Sequence, residues 1–312
     1  MQTYVYSHTY NIDMKRKKLM LLAAMCVGLM GCNNNNRTPI DVIIMGGQSN
    51  MVGCSPALQV ASEIGNEKYN EYVEGYPEIK IAYDCWTKLD EGGYYEQNSS
   101  NNNFVTTMFG QGNTTSNFGP EMGMTEYFSK HGRNNKVALI KYAVGAASLY
   151  WDFASTSSQL ERTIYPKFIQ YIKNACELLK KQGYEPTIKA FCWMQGEGDA
   201  YPTIYAGYEG LTELMIRDVR NDLKAYEGKA EMAFIDAAIS DSTKWVYYQQ
   251  INTAKRNVSE EADNNIFIDT LSEGLDKTSL QEDQAHYRGS YMVTLGQLFA
   301  EAVEPFLTPI ES

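Results

Sequence analysis

The segment Ile40-Asp41-Val42-Ile43-Ile44-Met45-Gly46-Gly47-Gln48-Ser49-Asn50 decides the fold. A largely β-branched run broken by two glycines reads as a buried strand entering a tight turn, with polar side chains just past the strand end. Short apolar runs of the same kind recur at Ile79 to Tyr83, Val137 to Tyr142, Ala190 to Met194, Met232 to Ile235 and Ile266 to Ile268. Helical periodicity fills the gaps between them. Ile164, Phe168, Ile172, Ala175 and Leu179 share one face, and Tyr291, Leu295, Phe299, Ala302 and Phe306 share another. Leu211, Leu214, Met215, Val219 and Leu223 suggest a third helix, and Trp245 to Val258 a fourth. Strands alternating with helices predict right-handed βαβ units, hence a single doubly wound α/β domain with a parallel sheet covered on both faces. In such sheets the ligand crevice lies beyond the carboxyl ends of the strands. That rule nominates Gln48-Ser49-Asn50, Gly145, Gln195-Gly196-Glu197 and the region after Asp269.

The chain has 312 residues, with 27 Lys and Arg against 38 Asp and Glu, a net charge of -11, and 44% hydrophobic residues. At this length folding buries roughly 75% of the unfolded surface, so the core needs no metal or disulfide staple. The hydrophobic share excludes a wholly disordered chain. The acidic balance, with no basic stripe beyond the N-terminus, speaks against a nucleic-acid partner. One stretch breaks the strand–helix alternation: Trp86 to Gly119 is rich in Asn, Gly, Ser and Thr, with Tyr94, Tyr95, Phe104 and Phe109 scattered through it. It is either a substrate-shaping insertion or a loosely ordered loop.

The N-terminus carries Lys15-Arg16-Lys17-Lys18, then the apolar stretch Leu19 to Met30, then Gly31-Cys32. The stretch is too short to span a bilayer core, which takes about 20 residues, and the pattern is that of a secretory signal. Leu29-Met30-Gly31-Cys32 resembles the lipobox of bacterial lipoproteins. The resemblance implies a signal peptide over 1–31 and a lipidated Cys32 anchoring an exported protein to a bacterial membrane. Residues 32–38 then form a polar tether ahead of a domain over 39–309. Cys54, Cys85, Cys176 and Cys192 remain, and spacing does not say which of them pair. No C-x-x-C occurs, and the three His lack zinc-ligand spacing.

The scarcity of His narrows the chemistry. A Ser49 hydroxyl in the crevice is a poor nucleophile without a base, and the backbone N–H groups of the turn after it can hold an oxyanion. His8 leaves with the signal, and His131 precedes a strand in the polar run Lys130 to Asn135, which puts it at the opposite edge of the sheet. His286 remains, in Asp283-Gln284-Ala285-His286, where the acid three residues earlier can hold the imidazole in its productive tautomer. The nucleophile elbow G-x-S-x-G is absent, since Met51 stands two residues after Ser49. Trp193-Met194-Gln195-Gly196-Glu197-Gly198-Asp199 leaves another strand end, offering the Gln195 amide as an oxyanion donor. Glu197 either orients a loop or partners His286, and Asp199 is expected to cap the following helix. Gly145, past a third strand, lets the backbone approach a bound acyl group and can offer its N–H.

These blocks resemble the SGNH hydrolase superfamily, and within it the sialate O-acetylesterase and acetylxylan-esterase-like family. Gly47-Gln48-Ser49-Asn50 reproduces the usual G-Q-S-N, Trp193 to Asp199 the usual W-x-Q-G-E-x-D, and Asp283 to His286 the D-x-x-H block. Phe118-Gly119-Pro120-Glu121 and the Gly145 segment, with Trp151-Asp152-Phe153 behind it, are similar to further family blocks. One departure stands at Gly145-Ala146-Ala147-Ser148, where many relatives carry a second Gly. The resemblance implies a flavodoxin-like sheet and a serine esterase that removes acetyl groups from O-acetylated carbohydrate without metal or organic cofactor. It implies Ser49 as nucleophile, His286 as general acid/base, Asp283 as its orienter, and an oxyanion hole from the N–H groups of Ser49 and Gly145 with the Gln195 amide. Gln48, Asn50 and Glu197 support the site. Two other readings fit the residues: a short-chain esterase or thioesterase, and a glycan-binding surface lipoprotein without the chemistry.

Overall fold

The computed structural model describes residues 37–310, so the expected signal peptide, Cys32 and most of the tether lie outside the described residues. Strand β1 (Thr38–Gly47) pairs in parallel with β7 (Val137–Gly145) on one side and β8 (Tyr184–Met194) on the other. Beyond β8 lie β9 (Ala233–Ala237) and β10 (Asn265–Ile268), also parallel. Ranked by position in the chain, β7, β1, β8, β9 and β10 run 2-1-3-4-5, the flavodoxin-like order, with the switch point between β1 and β8. All nine residues of β7 are buried. Successive side chains of a strand point to opposite faces, so the sheet is covered on both.

Two short helices, α2 (Ala57–Glu63) and α3 (Asn66–Glu74), pack on each other, and helix α5 (Ile164–Lys181) packs on β7 and β8 and against α6 (Tyr208–Leu223). Its five predicted apolar positions are all buried. Helix α4 (Glu121–Lys130) packs against α8 (Gly289–Val303), which also reaches β8, β9 and β10. Phe306 lies past the end of α8 in a single 3-10 turn, Glu304–Phe306, because Pro305 cannot continue the helix. The helix expected from Trp245 begins only at Tyr248, as α7 (Tyr248–Glu260).

The stretch from Trp86 to Gly119 corrects the expectation of an all-parallel sheet. Strand β3 (Tyr76–Lys88) adds in parallel outside β7, β4 (Tyr94–Ser99) and β5 (Val105–Thr107) pair antiparallel with it, and the short β2 (Ser55–Pro56) and β6 (Asn117–Phe118) pair antiparallel with each other. Its 34 residues therefore widen the sheet instead of leaving it as a loose loop. An edge strand with a solvated face tolerates the Tyr, Glu, Gln, Asn and Ser of β4, which removes the apolar signature of a strand.

Candidate active site

The end of β1 is forced into a sharp exit. Gly47 has φ +145°, and a Cβ there would lie 2.1 Å from the Met194 carbonyl oxygen, so only glycine fits beside β8. The Gln48 N–H donates to that same oxygen at 2.9 Å, and the short helix α1 (Ser49–Val52) starts at once. Ser49 is partly exposed, whereas Gln48 and Asn50 on either side are 4% and 2% exposed.

Each flanking amide ties down a different loop. The Gln48 Oε1 accepts from the Gly198 N–H at 2.9 Å and from the Gln195 Nε2 at 3.2 Å, clamping the exit from β8. The Asn50 Nδ2 donates to Glu197 Oε1 at 2.9 Å and to the Ala285 carbonyl at 3.2 Å, and its Oδ1 accepts from the Tyr287 N–H at 3.3 Å. Asn50 therefore grips both neighbours of His286, tying that loop to the residue after Ser49 across more than two hundred positions. Ser55 Oγ donates to the Tyr287 carbonyl at 2.7 Å, and Gln281 Nε2 bridges the Cys54 and Tyr287 carbonyls, fastening the same loop.

Within that loop Asp283 Oδ2 lies 2.5 Å from His286 Nδ1, while Asp283 Oδ1 accepts from the N–H groups of Ala285 and His286 at 2.9 and 3.1 Å. Burial works to raise the Asp283 carboxyl, but those amides and the imidazole outweigh it and hold it below the usual carboxylate range. His131 is exposed and stacks on Tyr127, as an edge position predicts.

Glu197 is 1% exposed, and its Oε2 has no hydrogen-bond partner. Burial pushes its carboxyl above the usual range, against the pull of its own backbone, Asn50 and Lys255. Beneath it, Lys255 and Asp236 form a buried ion pair. Gly196, at φ +141°, lies where a Cβ would meet Ile251 at 2.7 Å.

Two expectations are corrected here. The Gln195 amide does not point into the crevice: its Nε2 donates to Asp199 Oδ2 at 2.6 Å, Gln48 Oε1 at 3.2 Å and the Ala147 carbonyl at 3.3 Å. With those acceptors it is a clamp between loops rather than an oxyanion donor. Asp199 does not cap the helix after it; it accepts from the N–H groups of Leu149 and Tyr150 at 2.6 and 2.9 Å. It holds the turn Leu149–Phe153, and its own burial pushes the carboxyl up to about 6.

Gly145 ends β7, and Ala146 after it stands exposed at φ +58°, the left-handed region. That conformation explains why a glycine suits this position. Cys54, Cys85, Cys176 and Cys192 are free thiols, and burial pushes the first three up to about 12. Among the described residues no cluster of three or more His, Cys, Asp or Glu is arranged to hold a metal ion.

Lys141 is a buried ionic residue, tied to α1, that the sequence reading does not single out. It is fully buried, and its Nζ donates to the carbonyls of Val52 and Gln111 at 3.1 and 2.6 Å and to Glu121 Oε2 at 2.8 Å. It thereby ties the C-terminal end of α1 to the inserted segment. A lone lysine inside the apolar strand Val137 to Tyr142 was its signal.

The sequence profile of the family described as "Carbohydrate esterase, sialic acid-specific acetylesterase" matches residues 39–304. The chain belongs to this family. This esterase is similar in structure to a protein from Arabidopsis thaliana, at 18% identity and a TM-score of 0.57, covering 86% of this chain and 100% of that one. It is also similar to NanS, at 15% identity and a TM-score of 0.56 over 87% of this chain and 98% of that one. A carbohydrate acetylesterase from Xanthomonas citri aligns at 12% identity and a TM-score of 0.55, over 86% of this chain and 56% of that one. At these identities the structural likeness establishes a shared fold. No curated protein sequence matches the chain significantly. The profile match makes the chain a carboxylic ester hydrolase of the carbohydrate O-acetylesterase class.

Proposed function

We propose that the esterase runs acyl transfer through Ser49, His286 and Asp283. The observation that carries this reading is the double grip of Asn50, the residue after Ser49, on Ala285 and Tyr287, the two neighbours of His286. Asp283 takes the Nδ1–H of His286, so Nε2 carries the lone pair that accepts the Ser49 proton. The Ser49 oxygen attacks the acetyl carbonyl, and the negative charge moves to the carbonyl oxygen. The first N–H groups of a helix lack intrahelical acceptors, so the Ser49 N–H, joined by that of Gly145, serves as oxyanion donor. As the bond from the acetyl carbon to the sugar oxygen breaks, the imidazolium gives its proton to that oxygen, which leaves as the sugar hydroxyl, and an acetyl-serine remains. Water, deprotonated by His286, then releases acetate.

Supporting this reading are the intact Ser, Asp and His, and the orientation of the imidazole by a carboxylate that stays ionised. The test is acetate release from an aryl acetate by the wild type and by Ser49→Ala. The expected loss is about 10⁴-fold or more; equal rates would end the reading. Anchoring through Cys32 belongs to the same proposal and rests on the lipobox-like Leu29 to Cys32. Radiolabelled palmitate is expected to enter the wild type and not Cys32→Ala.

A further inference from the structure

Glu197 stands just past the end of β8, almost wholly buried, and the acyl-transfer steps above do not use it. Its Oε1 accepts from Asn50 Nδ2 at 2.9 Å, and its Oε2 is buried without a hydrogen-bond partner. An ionisable group this deep costs stability unless something nearby favours its charge. Lys255 of α7 supplies that something: its Cε lies 3.3 Å from where a Cβ on Gly196 would stand, and its ammonium opposes the rise that burial imposes on both Glu197 and Asp236. Two buried carboxylates thus share the field of one buried ammonium.

The use of that arrangement shows at Asn50. An Asn side chain has an acceptor end and a two-hydrogen donor end, and turning the amide over exchanges them. As placed, Nδ2 donates to Glu197 and to the Ala285 carbonyl, while Oδ1 accepts from the Tyr287 N–H. Asn50 is as buried as Glu197, so solvent cannot satisfy a turned amide. The two backbone contacts are the long ones, at 3.2 and 3.3 Å; the bond to Glu197 is the short one, and a charged acceptor roughly doubles the strength of a hydrogen bond. An ionised carboxylate accepts and does not donate. It therefore admits Asn50 only with Nδ2 towards it, which is also the orientation that offers a donor to Ala285 and an acceptor to Tyr287, on either side of His286.

We propose that Glu197 is a positioning residue of the esterase: its carboxylate fixes which way round the Asn50 amide sits, and through Asn50 it places the loop that carries His286. This rests on the Ser49 and His286 reading. Glu197 acts at one remove, with Asn50 as the link. The role also gives a reason for an acid in so buried a place. A glutamine has nearly the same shape, but it can turn its own amide and meet Asn50 with an N–H.

The test is a double-mutant cycle between Glu197 and Asn50, read by steady-state kinetics on an aryl acetate, with the folding of each variant checked by urea unfolding. Glu197→Ala is expected to lower kcat about 10- to 100-fold and to leave KM within about twofold. In the Asn50→Ala background the same change is expected to lower kcat by about threefold or less, because the link is already cut. Glu197→Gln keeps an acceptor for Nδ2 and is expected to recover most of the loss, remaining about threefold below the wild type. Equal losses from Glu197→Ala with and without Asn50 would overturn the proposal, as would wild-type kcat in the folded variant or a loss confined to KM. If Glu197→Ala does not fold, Glu197→Gln carries the cycle: its loss in kcat must disappear in the Asn50→Ala background, and no loss at all, or one undiminished there, overturns the proposal. Wild-type turnover by Ser49→Ala would overturn the esterase reading instead, whatever the cycle gives.

Discussion

Ser49 and His286 stand on unlike pieces of chain, which Asn50 ties together. Ser49 leaves a central strand that is buried from Ile40 on, between two side chains that are almost completely covered, and α1 behind it is pinned by Lys141. His286 sits on a surface loop: the Asp283 side chain is 44% exposed and that of His286 24%. The position of the proposed nucleophile is thus a property of the core. That of the proposed base depends on a few hydrogen bonds from Asn50, Ser55 and Gln281. Damage on the first side should appear as lost stability, and damage on the second as lost turnover in a folded protein.

The sharpest break in that contrast is His286→Ala. Acetate release should fall about 10⁴-fold, while the urea midpoint stays within what a surface substitution moves, about 0.5 kcal/mol. Lys141→Met should do the reverse. It leaves Glu121 buried without its cation and is expected to cost about 3–5 kcal/mol by urea unfolding; wild-type stability would remove Lys141 from the account. Asn50→Ala joins the two sides, because it frees the loop and strands a buried partner. Expected are a loss of about 1–3 kcal/mol and a drop in kcat larger than any change in KM.

Asp283→Asn tests the loop through pH. The folded carboxyl lies below its unfolded value, so its stabilisation is complete above the ordinary carboxylate range and is lost as pH falls through the lowered folded value. The variant should therefore lose stability at neutral pH and show a flatter acid limb in a series of urea titrations below about pH 4. The smallest effect is expected at Ala146→Gly. Relief of the left-handed strain at φ +58° is offset by the extra entropy of glycine, for a net gain below about 1 kcal/mol in thermal unfolding.

The sheet core was readable because β1, β7, β8 and β9 are buried on both faces and so read as apolar runs. The Asp283–His286 contact was readable for a different reason: an acid three residues before a lone His has an evident use. What stayed hidden was hidden by polarity or by distance. The residues of β4 are those of a solvated edge and carry no alternating signature. The amide of Gln195 was available on paper, but Asp199, Gln48 and Ala147, from separate loops, occupy its donors in the fold. Asp199 was read against the helix next to it in sequence, whereas its partners lie about fifty positions earlier. Lys141 makes sense only once Val52, Gln111 and Glu121 surround it.

Treatment of the folded protein with a serine-directed fluorophosphonate, followed by peptide mass mapping, asks most directly whether the buried turn and the exposed loop make one reactive centre. A single adduct on the peptide holding Ser49, lost in Ser49→Ala and strongly slowed in both His286→Ala and Asn50→Ala, is the predicted result. Labelling of Ser49 at the same rate in the His286 variant, or labelling confined to another serine, would contradict it.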